Sequence, residues 1–145
     1  MATFNKIFFS IIVFFTIQIS LQAQCSDIYF YRINNPLLQS AKSVYLFQNG
    51  EEIARLNLGH RIKATVCSPG QYEFVVKADR NAVSIIKKVI QVEDGQDYYL
   101  KIACLAVGEV ATIDQIPASK GNKEINKGSK FNLSLIHISE PTRPY

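Results

Sequence analysis

Between residues 26 and 116 apolar and polar side chains alternate with a period of two, as expected of strands with one buried face and one wet face. Arg61-Ile62-Lys63-Ala64-Thr65-Val66 is the cleanest run, with Ile62, Ala64 and Val66 on one side and Arg61, Lys63 and Thr65 on the other. Residues 72–78 turn Tyr72, Phe74 and Val76 inward. Residues 97–104 do the same with Tyr98, Leu100 and Ile102, with Cys104 in phase and Tyr99 and Lys101 outside. Three further runs, 28–33, 43–47 and 52–57, are rich in the aromatic and branched residues that strands favour. In 84–92, Ile86, Ile90 and Val92 share a face that Lys88 interrupts, which marks a sheet edge or a bulge. Residues 109–116 are a candidate eighth strand.

The breaks between these runs carry turn chemistry. Asn49-Gly50 is a strong hairpin signal, because a type I′ turn needs positive φ at both central residues. Ser68-Pro69-Gly70, Asp79-Arg80-Asn81 and Asp94-Gly95 punctuate the later strands. Short strands at this spacing predict an all-β fold, a small antiparallel β-sandwich of about seven or eight strands. The body shows no sustained helical period. The domain is expected to span 24–117, and 118–132, rich in Lys, Gly, Asn and Ser, reads as a polar basic tail: a loop, a short helix or a disordered segment.

The two ends read differently from the body. Lys6 is followed by an uncharged apolar run from Ile7 to Leu21 and then Gln22-Ala23-Gln24, the grammar of a signal peptide spanning 1–23 and cut after Ala23. That run is shorter than the roughly 20 residues a membrane span needs, so no transmembrane span is expected in the mature chain. An uncleaved anchor is the alternative, since Leu21 is large for its place before the cut. Cys25 follows the bulky Gln24, which argues against lipidation. At the other end, Leu133-Ser134-Leu135-Ile136-His137-Ile138-Ser139-Glu140-Pro141-Thr142-Arg143 resembles the in-frame translation of a transposase adapter used in sequencing libraries. Residues 133–145 are therefore read as adapter-derived and set aside from fold reasoning, together with His137 and the Asn132-Leu133-Ser134 sequon.

Charge changes the picture once it is placed along the chain. The total is +4, but residues 25–119 hold ten basic and ten acidic side chains, and the excess lies in Lys120, Lys123, Lys127 and Lys130 of the tail and in Lys6. A neutral body without a basic stripe is not built for nucleic acid. Three cysteines allow one disulfide in an exported chain. Cys67 and Cys104 are a candidate pair. Cys67 is out of phase with Ile62, Ala64 and Val66, so that bridge needs a bulge or a changed strand phase, and Cys104 reads as a core thiol. Cys25 could instead be a reactive thiol or pair between molecules.

Catalytic chemistry would require a nucleophile with a base, a carboxylate pair, a metal set or a phosphate loop, and no such motif is found. His60 falls in a predicted turn, and Asp94 and Asp97 flank Gly95 without full calcium-loop spacing. No enzyme, cofactor or metal is expected. Tyr29, Tyr31, Tyr45, Phe47 and Tyr99 are the outward aromatics that could form one partner-binding platform, unless a covering segment buries them.

Four phrases, Tyr29-Phe30-Tyr31-Arg32, Val44-Tyr45-Leu46-Phe47-Gln48-Asn49-Gly50, Ser68-Pro69-Gly70-Gln71-Tyr72 and Asp94-Gly95-Gln96-Asp97-Tyr98-Tyr99-Leu100-Lys101, occur in an order and spacing that resemble the DUF2846 family of bacterial exported and lipoprotein-like domains. The Pro-Gly-x-Tyr hairpin is similar as well to transthyretin-like (prealbumin-like) and carboxypeptidase-regulatory-like sandwiches. The resemblance implies a sandwich fold and an export route, and it assigns no catalytic residue. The expectation is a non-catalytic exported accessory domain, periplasmic, envelope-associated or secreted, binding an envelope protein or glycan. The alternatives are an N-terminal fragment of a longer exported protein, or an enzyme with unrecognised chemistry.

Overall fold

A computed structural model describes residues 24–106, 110–127, 132–136, 138 and 141; the expected signal peptide lies outside them. Alternation becomes strand at β1 (Ser26–Tyr31), β2 (Val44–Gln48), β3 (Glu51–Leu56), β4 (His60–Val66), β5 (Gly70–Lys77), β6 (Ile86–Val92), β7 (Tyr98–Cys104) and β8 (Ala111–Ile116). A helix, α1 (Ala118–Lys127), and a last strand, β9 (Asn132–Ile136), follow. One sheet has the order β8-β7-β1-β4-β9 and the other β3-β2-β5-β6, so the fold is an all-β sandwich. Among the described residues no helix is long and apolar enough to cross a membrane.

The inward sets meet between the sheets as the period-two reading requires. Ile28 and Phe30 of β1, Phe74 of β5 and Leu100 of β7 are completely buried, with the rings of Phe30 and Phe74 edge to face at 4.9 Å. Each such side chain contributes about 1.5–3 kcal/mol of burial free energy. Asn49 (φ 52°) and Gly50 (φ 83°) close the β2–β3 hairpin with the two positive φ angles a type I′ turn needs. Lys88 stands opposite Phe74 on the inward side of β6, an edge strand, where a charge discourages further pairing.

The sandwich is not wholly antiparallel. β1 pairs antiparallel with β4 but parallel with β7, from Ile28↔Tyr98 to Tyr31↔Lys101, and β9 runs parallel to β4. Turn chemistry dictates the direction of strands joined by a hairpin, whereas β1 and β7 are separated by the whole second sheet and are free of that constraint.

The disulfide also differs from the candidate pair. Cys25 bonds to Cys67, and the Cys67–Cys104 bridge is absent. The β1–β4 register explains this: Ser26 faces Val66, so the next position outward sets Cys25 beside Cys67, with Cα atoms 4.0 Å apart. Cys104 points into the core, as its phase implied.

Arg32, the first residue after β1, is completely buried. Its guanidinium donates to the carbonyls of Ser40 (2.7 Å), Lys42 (2.6 Å) and Leu56 (3.1 Å) and to Gln39 Oε1 (3.4 Å). Backbone dipoles here satisfy a buried cation and clamp the β1–β2 connection to the end of β3.

The segment read as a tail contributes packing. Ten of its residues form α1, which lies on the outer face of the five-stranded sheet and extends the packed unit past Pro117. Ile125 is buried against Tyr31 and Tyr99, and Gly121 approaches so closely that a Cβ there would overlap the Tyr99 ring. At ten residues α1 is too short to be stable alone, and it contains Gly121, Asn122 and Asn126, so tertiary contact rather than propensity holds it.

Candidate binding surfaces

The five aromatics do not form one platform. Strand phase turns all five away from the core, but Tyr29, Tyr31 and Tyr99 belong to the five-stranded sheet and Tyr45 and Phe47 to the four-stranded one. They occupy opposite sides of the sandwich.

On the first side, the parallel β1–β7 register places Tyr29 beside Tyr99, and their rings stack at 5.1 Å with 13° between planes. α1 then covers much of the group: Tyr31 is fully buried and Tyr99 nearly so. The Tyr31 hydroxyl donates to Glu124 at 2.9 Å, and Lys101 Nζ lies 3.2 Å from the same carboxylate. Burial, reinforced by Glu124, pushes the Tyr31 phenol well above its ordinary range. Burial works against the Glu124 charge, yet the hydrogen bonds from Tyr31 and Lys101 outweigh it and hold that carboxyl below its usual value. Nearby, Lys63 pairs with Asp27 at 2.6 Å and sits 5.9 Å from the Tyr29 ring centre, while Thr65 donates to Asp27. For Asp27 too, burial opposes ionisation and the Lys63 and Thr65 contacts prevail, lowering its pKa.

On the second side, no helix or strand lies over the sheet among the described residues. Tyr45 and Phe47 are half-buried at its centre, in β2. The registers Tyr45↔Arg55 and Tyr45↔Lys77 bring cations to these rings from both neighbouring strands. Arg55 lies 5.5 Å and Arg80 5.2 Å from the Tyr45 ring centre, and Lys77 lies 4.9 Å from that of Phe47. Arg80 is neutralised by two bonds to Glu52, at 2.8 and 3.0 Å, and Lys87 by Glu73 at 3.2 Å. Arg55 and Lys77 have no carboxylate partner among the described residues. The face thus carries two rings and two uncompensated positive charges.

Pattern reading named the two rings and missed the cations. The signal was present: Arg55 and Lys77 lie on the wet phase of strands flanking Tyr45, but only the register shows that they converge there.

A cleft of about 610 Å³ opens where the β6–β7 turn meets the start of α1, lined by Glu93, Gln96, Asp97, Tyr98, Gln115 and Pro117 among others. The turn is held by Ser26, whose hydroxyl donates to the Glu93 carbonyl (2.6 Å) and accepts from the Gln96 amide (3.2 Å). Asp97 belongs to this wall, and Gly95 (φ 70°) makes the turn Asp94 begins. Among the described residues no three His, Cys, Asp or Glu side chains gather as a metal site would require. His60 opens β4. Comparison of the chain with protein-family models, with curated proteins and with solved structures finds no significant match.

Proposed function

We propose that this chain is a non-catalytic, exported β-sandwich module of the kind its DUF2846 resemblance implies, an accessory domain of the cell envelope that binds an acidic partner. The observation that carries the reading is the uncovered face of the four-stranded sheet, where Arg55 and Lys77 lie over Tyr45 and Phe47 without a carboxylate to neutralise them. Cations held over aromatic faces are preorganised, so they meet an anionic group with less ordering cost than solvated lysines do. The Cys25–Cys67 bond supports an oxidising compartment and hence export.

The test is binding to polygalacturonate and polyglutamate, acidic probes of glycan and protein character, with neutral dextran as control. Arg55→Ser with Lys77→Ser is expected to weaken binding about tenfold while the domain stays folded, its stability lowered by no more than about 1–2 kcal/mol, since each exposed cationic contact contributes about 0.5–1 kcal/mol. Equal affinity for dextran, or an unaffected double variant, removes the face from consideration.

A further inference from the structure

Outside the 133–143 run, the large apolar side chains that stand exposed among the described residues gather at one end of the sandwich. Leu37 and Leu38 lie in the β1–β2 connection, Val83 and Ile85 in the β5–β6 connection, and Leu105 and Val110 in the β7–β8 connection; Val89 alone lies within a strand. The registers bring these connections together. Tyr31↔Lys101 sets the ends of β1 and β7 side by side, and Tyr45↔Lys77 sets the end of β5 beside the start of β2. Arg32 joins the two sheets at this end, through the carbonyls of Lys42 before β2 and Leu56 at the end of β3.

The leucines are held outward on a bonded base. The Asn35 carbonyl accepts from the amides of Leu38 (3.3 Å) and Gln39 (3.0 Å), the Ser40 amide donates to the Cys104 carbonyl (2.8 Å), and Gln39 bridges to Leu105. On that base Leu37 is 90% and Leu38 67% exposed, and Val83 is 97% exposed on its own turn. Side chains this exposed are separate convex projections. A rigid protein surface would need a hole for each, whereas the boundary between headgroups and acyl chains deforms around them. Asn34, Asn35, Asn81 and Ser84 flank the projections with polar groups suited to the headgroup level, and loop backbone keeps the insertion shallow.

Charge has the matching polarity along the sandwich. α1 runs toward the apolar end, from Gly121 over Tyr99 to Glu124 and Ile125 against Tyr31, and so carries Lys127 there in its last turn. Lys42, Arg61 and Lys127 outnumber Asp79 and, in sequence, Glu109 at this end, with Arg80 paired to Glu52. The opposite end is acidic: the connections 49–51, 67–69 and 93–97 hold Glu51, Glu93, Asp94 and Asp97 and no lysine or arginine. An anionic surface attracts the first end and repels the second, which orients the domain as it approaches.

We propose that the end carrying Leu37, Leu38, Val83 and Leu105 docks on the surface of an anionic lipid bilayer, its aliphatic tips entering the boundary between headgroups and acyl chains and the Cys25–Cys67 end turned away. The site is independent of the Tyr45–Phe47 face, which runs along the side of the sandwich and stays open in the docked domain.

The chain contains no tryptophan, so a single introduced one reports its own surroundings. The test places it at Leu38→Trp, Val83→Trp and, at the acidic end, Gln96→Trp in three versions of the full chain, each titrated with vesicles of phosphatidylethanolamine and phosphatidylglycerol. Emission is expected to shift to the blue in the first two and to stay unchanged in the third. Cosedimentation of Leu37→Ser with Leu38→Ser should show at least about tenfold weaker partitioning with an unaltered near-ultraviolet circular dichroism spectrum, since transfer of even one leucine side chain carries about that factor. A shift in Gln96→Trp with none in the other two puts the Cys25 end on the membrane and overturns the proposal. No shift in any of the three, or unchanged partitioning of the double serine variant, overturns it too. So does a shift in Leu38→Trp that grows with protein concentration in the absence of vesicles, because the apolar end then belongs to a second copy. None of these outcomes bears on binding of acidic polymers at Tyr45 and Phe47.

Discussion

Removing the Cys25–Cys67 bond with paired serine substitutions should destabilise the domain chiefly through its unfolded state. The native strands need no covalent help to stay adjacent, because six β1–β4 residue pairs continue the same register. The bond spans 42 residues, enclosing β1 to β4 entire. Loop-closure entropy for that length amounts to about 4 kcal/mol at 25 °C. For a domain of this size, that lowers the midpoint of thermal unfolding by roughly 15–30 °C. Circular dichroism melts of the unaltered chain with and without a phosphine reductant, beside the double serine variant, measure it. The reduced protein and the variant should melt together, well below the oxidised protein, and a denatured oxidised sample should titrate one thiol, that of Cys104. Three titratable thiols, or a variant that melts with the oxidised parent, would refute the reasoning.

Three other perturbations have definite outcomes. Arg32→Met leaves the carbonyls of Ser40, Lys42 and Leu56 without their buried donor, and urea unfolding should show a loss of about 3–5 kcal/mol. Gly121→Ala forces a methyl into the Tyr99 ring, so α1 should lift from the sheet, seen as faster hydrogen exchange over 118–127 and a changed near-ultraviolet tyrosine signal with the strands intact. The α1 contact should also depend on pH at both extremes. Glu124 has a lowered folded pKa, so its contribution is complete above the ordinary value of 4.5 and fades as pH falls below it. Tyr31 has a raised one, so its contribution is complete below 10.0 and is lost as pH climbs past that value. Glu124→Gln should abolish the acid limb of that profile.

Period-two patterning was enough to orient Ile62, Ala64 and Val66, to bury Cys104 and to single out Lys88 as an edge or a bulge, because each of these depends only on the phase within one strand. What escaped it depends on which strands become neighbours. Tyr29 and Tyr45 have the same outward phase, yet nothing in alternation assigns them to different sheets, and so one expected platform became two separate faces. Cys25 found Cys67 through a register between strands with two others between them. The burial of Arg32 has no signal in the alternation, because only the fold of the 33–43 connection and the end of β3 wrap carbonyls around it. For 118–132 the sequence left a loop, a short helix and a disordered segment open, because with Ile125 as its main apolar anchor α1 draws its stability from a tyrosine surface assembled by β1 and β7.

The most direct measurement of the binding account is an amide chemical-shift map of the full chain titrated with polygalacturonate and with polyglutamate. The account predicts perturbations concentrated on β2, β3 and β5 around Tyr45, Phe47, Arg55 and Lys77 with at least one of the two, screened away by salt. Perturbations centred instead on the Tyr29–Tyr99 side, or none with either polymer, would contradict it.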